Sequence, residues 1–155
     1  MRNPSRQSGF TMVEVLVALV VLAIGLLGIA ALYLNSLQSG RTAIYRTEAI
    51  NLASDLADRI RVNRTAQAAY AVVYTGTKVP VAACATVGSC TDIELATTDL
   101  ANWKADLALR LPGGQGQVAV TAPIGVDEPA TYVVSIRWSE VGEAAQVTFQ
   151  LGFQT

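Results

Sequence analysis

The sequence predicts an α+β fold: one long N-terminal helix, half membrane segment and half amphipathic, packed on a small antiparallel β-sheet, with a short extra helix beside them. Three observations lead there. No charged residue occurs from Val15 to Leu34, apolar residues at three- and four-residue steps continue from that run toward Ala69, and three stretches near the C-terminus alternate apolar and polar residues. The 155 residues suit one domain once a membrane segment is set aside. At 52% apolar and 15% charged the chain is more hydrophobic than an ordinary soluble domain, and much of the excess lies in its first third.

The run from Val15 to Leu34, interrupted in polarity only by Gly25, Gly28 and the Tyr33 phenol, would span about 30 Å as a helix, the thickness of a bilayer core. Arg2 and Arg6 precede it with no acid among residues 1 to 9, which keeps the N-terminus cytoplasmic and sends the rest outward. A secretory signal peptide would have a shorter apolar core and small residues before its cleavage site. Gly28-Ile29-Ala30-Ala31 is only a weak match to such a site, so a single-pass anchor fits better. Glu14 stands at the mouth of this segment, where an ionised side chain is costly and needs a reason.

The outward part begins with an amphipathic helix. Tyr45, Ala49, Leu52, Leu56 and Ile60 form its apolar stripe, while Arg41, Glu48, Asp55, Asp58, Arg59 and Arg61 make a solvated face. As one helix, residues 10 to 69 would run about 90 Å, so part of it must sit in apolar surroundings and part must pack on the remaining chain. Residues 70 to 97, with Pro80 and Gly88, read as loop with a short strand near Tyr70 to Tyr74. A compact helix follows, with Thr97 or Thr98 as N-cap and Leu100, Trp103, Leu107 and Leu111 on one side. Pro112-Gly113-Gly114 ends it.

Three strand patterns complete the chain. Val118, Val120 and Ala122 alternate, as do Tyr132, Val134, Ile136 and Trp138, and then Val147, Phe149, Leu151 and Phe153. Their counter-faces are polar, as in Thr131, Ser135 and Arg137 or Gln146, Thr148 and Gln150, which describes antiparallel strands with one buried and one wet face. Ser139 to Ala145, with Gly142, can turn the last two into a hairpin.

Catalysis finds little support. Zero histidines remove the commonest general base and the Ser-His-Asp triad. Gly113-Gly114-Gln115-Gly116 resembles a phosphate loop only superficially, because it follows a helix and precedes a strand, the reverse of the dinucleotide-binding order. Asp127-Glu128 reads as a solvated pair, and Trp103 and Trp138 read as core. From Tyr70 onward four basic residues face eight acids, a net of −4, which argues against nucleic acid as a partner. No cofactor is called for, and the chain reads as a structural protein with no enzyme activity.

Gly9-Phe10-Thr11-Met12-Val13-Glu14, preceded by a basic leader and followed by Val15-Leu16-Val17-Ala18-Leu19, resembles the class III signal of type IV prepilins. The resemblance implies that a prepilin peptidase cuts on the cytoplasmic side between Gly9 and Phe10 and methylates the new N-terminus at Phe10. It also implies a reason for Glu14: the carboxylate meets the freed N-terminal amine of a neighbouring subunit as helices bundle. A buried carboxylate is tolerable when paired and expensive when alone. The bland alternatives are that Glu14 lies at headgroup level or is protonated.

The run through "LNSLQSGR", the "LASDLADRIRVNR" and "DLANWKADLALRLPGG" helices and the "YVVSIRWSE" strand are similar to PilV-type minor pilins, type IV pilus modification proteins. One departure from many major pilins is Ala31, where a kinking proline is often found. The implied organisation is a cleaved leader at residues 1–9, a long helix at 10–69 with its membrane segment at about 15–34, and an extracytoplasmic head at 70–155. The implied partners are other minor pilins, the major pilin, the prepilin peptidase, the inner-membrane assembly machinery and the membrane itself. The prepilin would sit in the inner membrane with a periplasmic head, then pass to the extracellular pilus and its tip, in the service of twitching motility and adhesion. A minor pseudopilin of a type II secretion system carries the same signal, and an uncleaved single-pass protein with a binding head is the more distant alternative.

Cys84 and Cys90 would then lie where thiols oxidise, which favours a local disulfide. A metal pair is the rival reading, although no histidine and no further cysteine is present to complete a zinc site. No metal site is expected.

Overall fold

The computed structural model describes residues 9–85, 89–122 and 128–155. Met1 to Ser8 of the expected leader, Gly88 and Asp127 lie outside the described residues. The chain divides into two compact units, Met1–Gly40 and Arg41–Thr155. The element order is α1 (Met12–Val62), a 3-10 helix (Arg64–Tyr70), a second 3-10 turn (Ala82–Ala85), α2 (Asp92–Arg110), β1 (Gln115–Thr121), β2 (Thr131–Trp138) and β3 (Val147–Gln154).

In the N-terminal unit every described residue through Gly40 is exposed, and the most apolar window of α1 has a mean hydropathy of 3.1. Among the described residues none of this stretch is buried, although it is long and apolar enough to cross a membrane. It contains no proline, and its glycines meet no neighbouring atom.

In the second unit α1 changes character. Ala49, Leu52, Ala53, Leu56, Ala57 and Ile60 are buried, following the stripe that the sequence predicts, and Tyr45 packs at its edge. Small residues at 49, 53 and 57 let the helix lie close to its neighbours while Leu52, Leu56 and Ile60 fill the space between. The α-helix stops at Val62, short of the expected Ala69. Asn63 leaves helical geometry at φ −108° and ψ 48°, and its side-chain amide donates to Tyr70 Oη at 3.2 Å and to the Asp92 carbonyl at 2.8 Å. Asparagine can exchange helical bonds for such local ones, and here they turn the chain into the 3-10 helix.

The sheet is antiparallel with order β1-β2-β3. Gln115 pairs with Arg137 and Thr121 with Thr131 across β1 and β2, and Thr131 pairs with Gln154 and Trp138 with Val147 across β2 and β3. Gly142 supplies a left-handed residue, φ 95°, in the connection before β3. Tyr132, Val134, Ile136 and Trp138 are buried in one cluster with the α1 stripe and with Leu100, Trp103 and Leu107 of α2. The fold is α+β, a long apolar N-terminal helix with a three-stranded antiparallel head.

Three local expectations change. The strand expected at Tyr70 to Tyr74 reduces to one bridge, Val72 with Val118. Ser135, expected on a wet face, is buried, because β2 is the central strand and Gln117 and Gln150 flank it in register. Helix α2 begins two turns earlier than expected, at Asp92, where Thr91 and Glu94 form a capping box. Thr98 instead donates to the Glu94 carbonyl and accepts from the Val81 N–H, both at 3.0 Å.

Candidate functional site

The N-terminal segment is built from one capping residue and one acid. Thr11 precedes α1, and its hydroxyl accepts a hydrogen bond from the Glu14 backbone N–H at 3.3 Å. Its carbonyl accepts from the Val15 N–H, also at 3.3 Å. Threonine is a favoured N-cap, and the position three residues on favours an acid because the first-turn N–H groups carry partial positive charge. The spacing Thr11-x-x-Glu14 is therefore a helix-start signal that the sequence reading passed over in favour of the carboxylate alone.

Helical spacing aligns Phe10, Glu14, Val15, Ala18, Leu19 and Leu22 along a shallow apolar groove on this face. Phe10 is 85% exposed, and Gly9 has no neighbour within reach of a β-carbon. Among the described residues the Glu14 carboxylate has no hydrogen-bond or ion-pair partner. The arrangement offers one acceptor on an apolar face that is exposed among the described residues, and it suits a basic or donor group carried by another apolar helix.

The second unit holds structural polar networks. Asp99, mostly buried, accepts from Tyr70 Oη at 2.9 Å and from Arg59 Nη1 at 3.1 Å, which ties the end of α1 to α2. Burial pushes the Tyr70 phenol well above its ordinary value. Glu140 accepts from Arg46 Nε and Nη2, each at 3.2 Å, and from Trp138 Nε1 at 3.1 Å, which joins the end of β2 to α1. Arg110 reaches Glu48 at 2.8 Å. The face of α1 read from sequence as solvated thus takes part in tertiary ion pairs as well as the local pairs Arg59 with Asp55 and Arg61 with Asp58.

Cys84 and Cys90 are joined in a disulfide, with Cα atoms 4.8 Å apart, immediately before the Thr91 cap of α2. Gly9, Phe10 and Glu14 belong to the N-terminal unit and the disulfide to the second. Among the described residues no group of His, Cys, Asp and Glu is placed to hold a metal ion.

Two family models match the chain. The Tt1218-like family, described as type IV pilin Tt1218, matches residues 31–101, and the prokaryotic N-terminal methylation motif matches residues 4–30. The second match covers Gly9, Phe10 and Glu14; the first begins within the apolar helix and ends within α2. No curated protein and no solved structure matched. Pilins are structural subunits, and the apolar N-terminal helix fits a membrane-anchored precursor that passes into a filament. With a methylation motif at its start, a long apolar helix behind it and a small antiparallel head, the chain is a type IV pilin-like protein.

Proposed function

We propose that this protein is a minor pilin of the PilV type, which takes part in priming or assembly of a type IV pilus within a tip complex of minor pilins. A prepilin peptidase cuts between Gly9 and Phe10 and methylates the new N-terminus. Cleavage matters physically because it replaces a basic leader with one compact amine that an apolar bundle can enclose when a carboxylate faces it. Glu14 supplies that carboxylate to a neighbouring subunit and thereby sets axial register. The apolar face from Val15 to Leu34 supplies the adhesion, by packing against other pilin helices in place of lipid.

The observation that carries this reading is the groove from Phe10 to Leu22, which presents Glu14, without a partner among the described residues, on an otherwise apolar and exposed helix face. The first measurement is the intact mass and N-terminal sequence of the protein recovered from its native membrane. A chain that begins at methylated Phe10, and that is absent when the prepilin peptidase is deleted, supports the assignment. A chain that keeps Met1 to Gly9 in cells whose other prepilins are processed refutes it. Loss of pili on deletion of the gene, with secretion of exported enzymes intact, separates the pilus role from that of a secretion pseudopilin.

A further inference from the structure

A cavity of about 400 Å³ opens between the Tyr74 to Lys78 loop, the Lys104 side of α2 and the start of β1. Among the described residues no acidic side chain lines it. Elsewhere in this unit Arg46, Arg59, Arg61 and Arg110 each hold a carboxylate within 3.2 Å. Arg41 and Arg64 are simply exposed. The two lysines that line this cavity, and Arg137 behind its Tyr74 and Gln115, are arranged otherwise. Lys104 donates to the carbonyls of Val73 at 2.8 Å and Tyr74 at 3.0 Å and also to that of Gly76, so its ammonium is fixed in place with its three donors engaged. Arg137 lies 4.1 Å over the Tyr74 ring and donates from Nε to Gln115 Oε1 at 2.9 Å. Lys78 is half-buried and, among the described residues, has no hydrogen-bond or ion-pair partner.

A partly buried ammonium gains from an anion placed beside it, since each unpaired charge withdrawn from water is unfavourable. Burial, with the nearby charge of Lys78, also draws the Lys104 ammonium below its ordinary range, so the two charges act on each other. An anion placed between them would relieve that repulsion. We propose that this cavity binds an acidic sugar, with its carboxylate on Lys78 and its hydroxyls on Thr75, Thr77 and Gln115. A single free ammonium donor suits a monocarboxylate better than a phosphate, which favours several converging donors. The Gln115 oxygen is engaged by Arg137, which leaves the amide N–H groups to donate to a ligand. The site owes nothing to the assembly role of the N-terminal helix, and either can fail alone.

The test is titration of the full-length protein in detergent micelles with glucuronate, followed by the backbone amide signals of Gly76, Thr77, Gly114 and Gly116. Saturable shifts are expected, with glucose and acetate each binding at least about tenfold more weakly because one lacks the charge and the other the hydroxyls. Lys78→Gln should weaken glucuronate about tenfold and Lys78→Arg should retain it, and the unchanged remainder of each spectrum would show that the fold is intact. Absence of saturation, equal binding by Lys78→Gln, or equal affinity for acetate or inorganic phosphate would overturn the proposal.

Discussion

Gly116 lies so close beneath Trp103 that a β-carbon there would stand 2.2 Å from the indole ring. The ring is held from its other end, where Nε1 donates to the Leu52 carbonyl of α1 at 3.0 Å. The glycine-rich segment after α2 is therefore explained by packing: Gly114 likewise meets the Leu107 carbonyl, and Gly113 takes a left-handed φ of 63°. Gly116→Ala should push the indole off its hydrogen bond and cost about 1–3 kcal/mol. Chemical denaturation of the detergent-solubilised protein, followed by tryptophan fluorescence, checks this, and wild-type stability in the variant would mean that the core has room to yield.

The Tyr70 hydroxyl stands between Asn63, which donates to it, and Asp99, which accepts from it. Tyr70→Phe would leave the mostly buried carboxylate with the Arg59 donor alone, at an expected cost of about 1–2 kcal/mol. Arg61→Ala, which breaks an exposed pair with Asp58, should cost less than about 1 kcal/mol. A reversed ranking in thermal melts would show that the buried network is not a principal tie between α1 and α2.

Hydrogen bonds from the Thr91 backbone N–H and then its hydroxyl hold the Glu94 carboxyl below its ordinary value. A depressed folded-state value means that this contribution is complete above the ordinary carboxylate range and is lost as pH falls through the depressed one. Amide exchange in the first turn of α2 should accelerate beyond its intrinsic pH dependence on acidification. Glu94→Gln should remove that pH-dependent component, and its persistence in the variant would assign it to other carboxylates.

Reduction of Cys84–Cys90 opens a short ring, so it should cost at most about 2 kcal/mol and act locally. Circular dichroism of the reduced protein should retain the signal of α1 and the sheet, while exchange near Ala82–Ala85 and the Thr91 cap increases. Cooperative loss of the whole fold on reduction would contradict this.

If Glu14 sets register as proposed, Glu14→Ala and Glu14→Val should be cleaved and inserted normally yet enter pili poorly, because both leave the proposed junction at Gly9 and Phe10 untouched and remove the carboxylate. The check is the amount of this subunit in sheared pili relative to the membrane pool, together with pilus number. Normal values for both would remove the pairing role from Glu14.

The sequence by itself determined the architecture, because periodicity is local and the solvent that each face requires follows from it. The uncharged run, the stripe from Ala49 to Ile60 and the last two alternating strands appear where they were read, while β1 starts earlier, at Gln115, and ends at Thr121 with Ala122 outside it. The leader motif was likewise legible, since residues 4–30 carry their signal as a linear pattern. The capping box at Thr91 and Glu94 was present in the letters and passed over, because Thr97 and Thr98 stood closer to the conspicuous apolar face. Only the tertiary structure decided the rest: that Arg46 meets Glu140, that Asp99 joins Tyr70 to Arg59, that Ser135 is covered, and that Lys78 and Lys104 line one cavity. Such contacts bring together residues far apart in the chain, and the three-dimensional packing that places them leaves no periodic signature in the order of the amino acids.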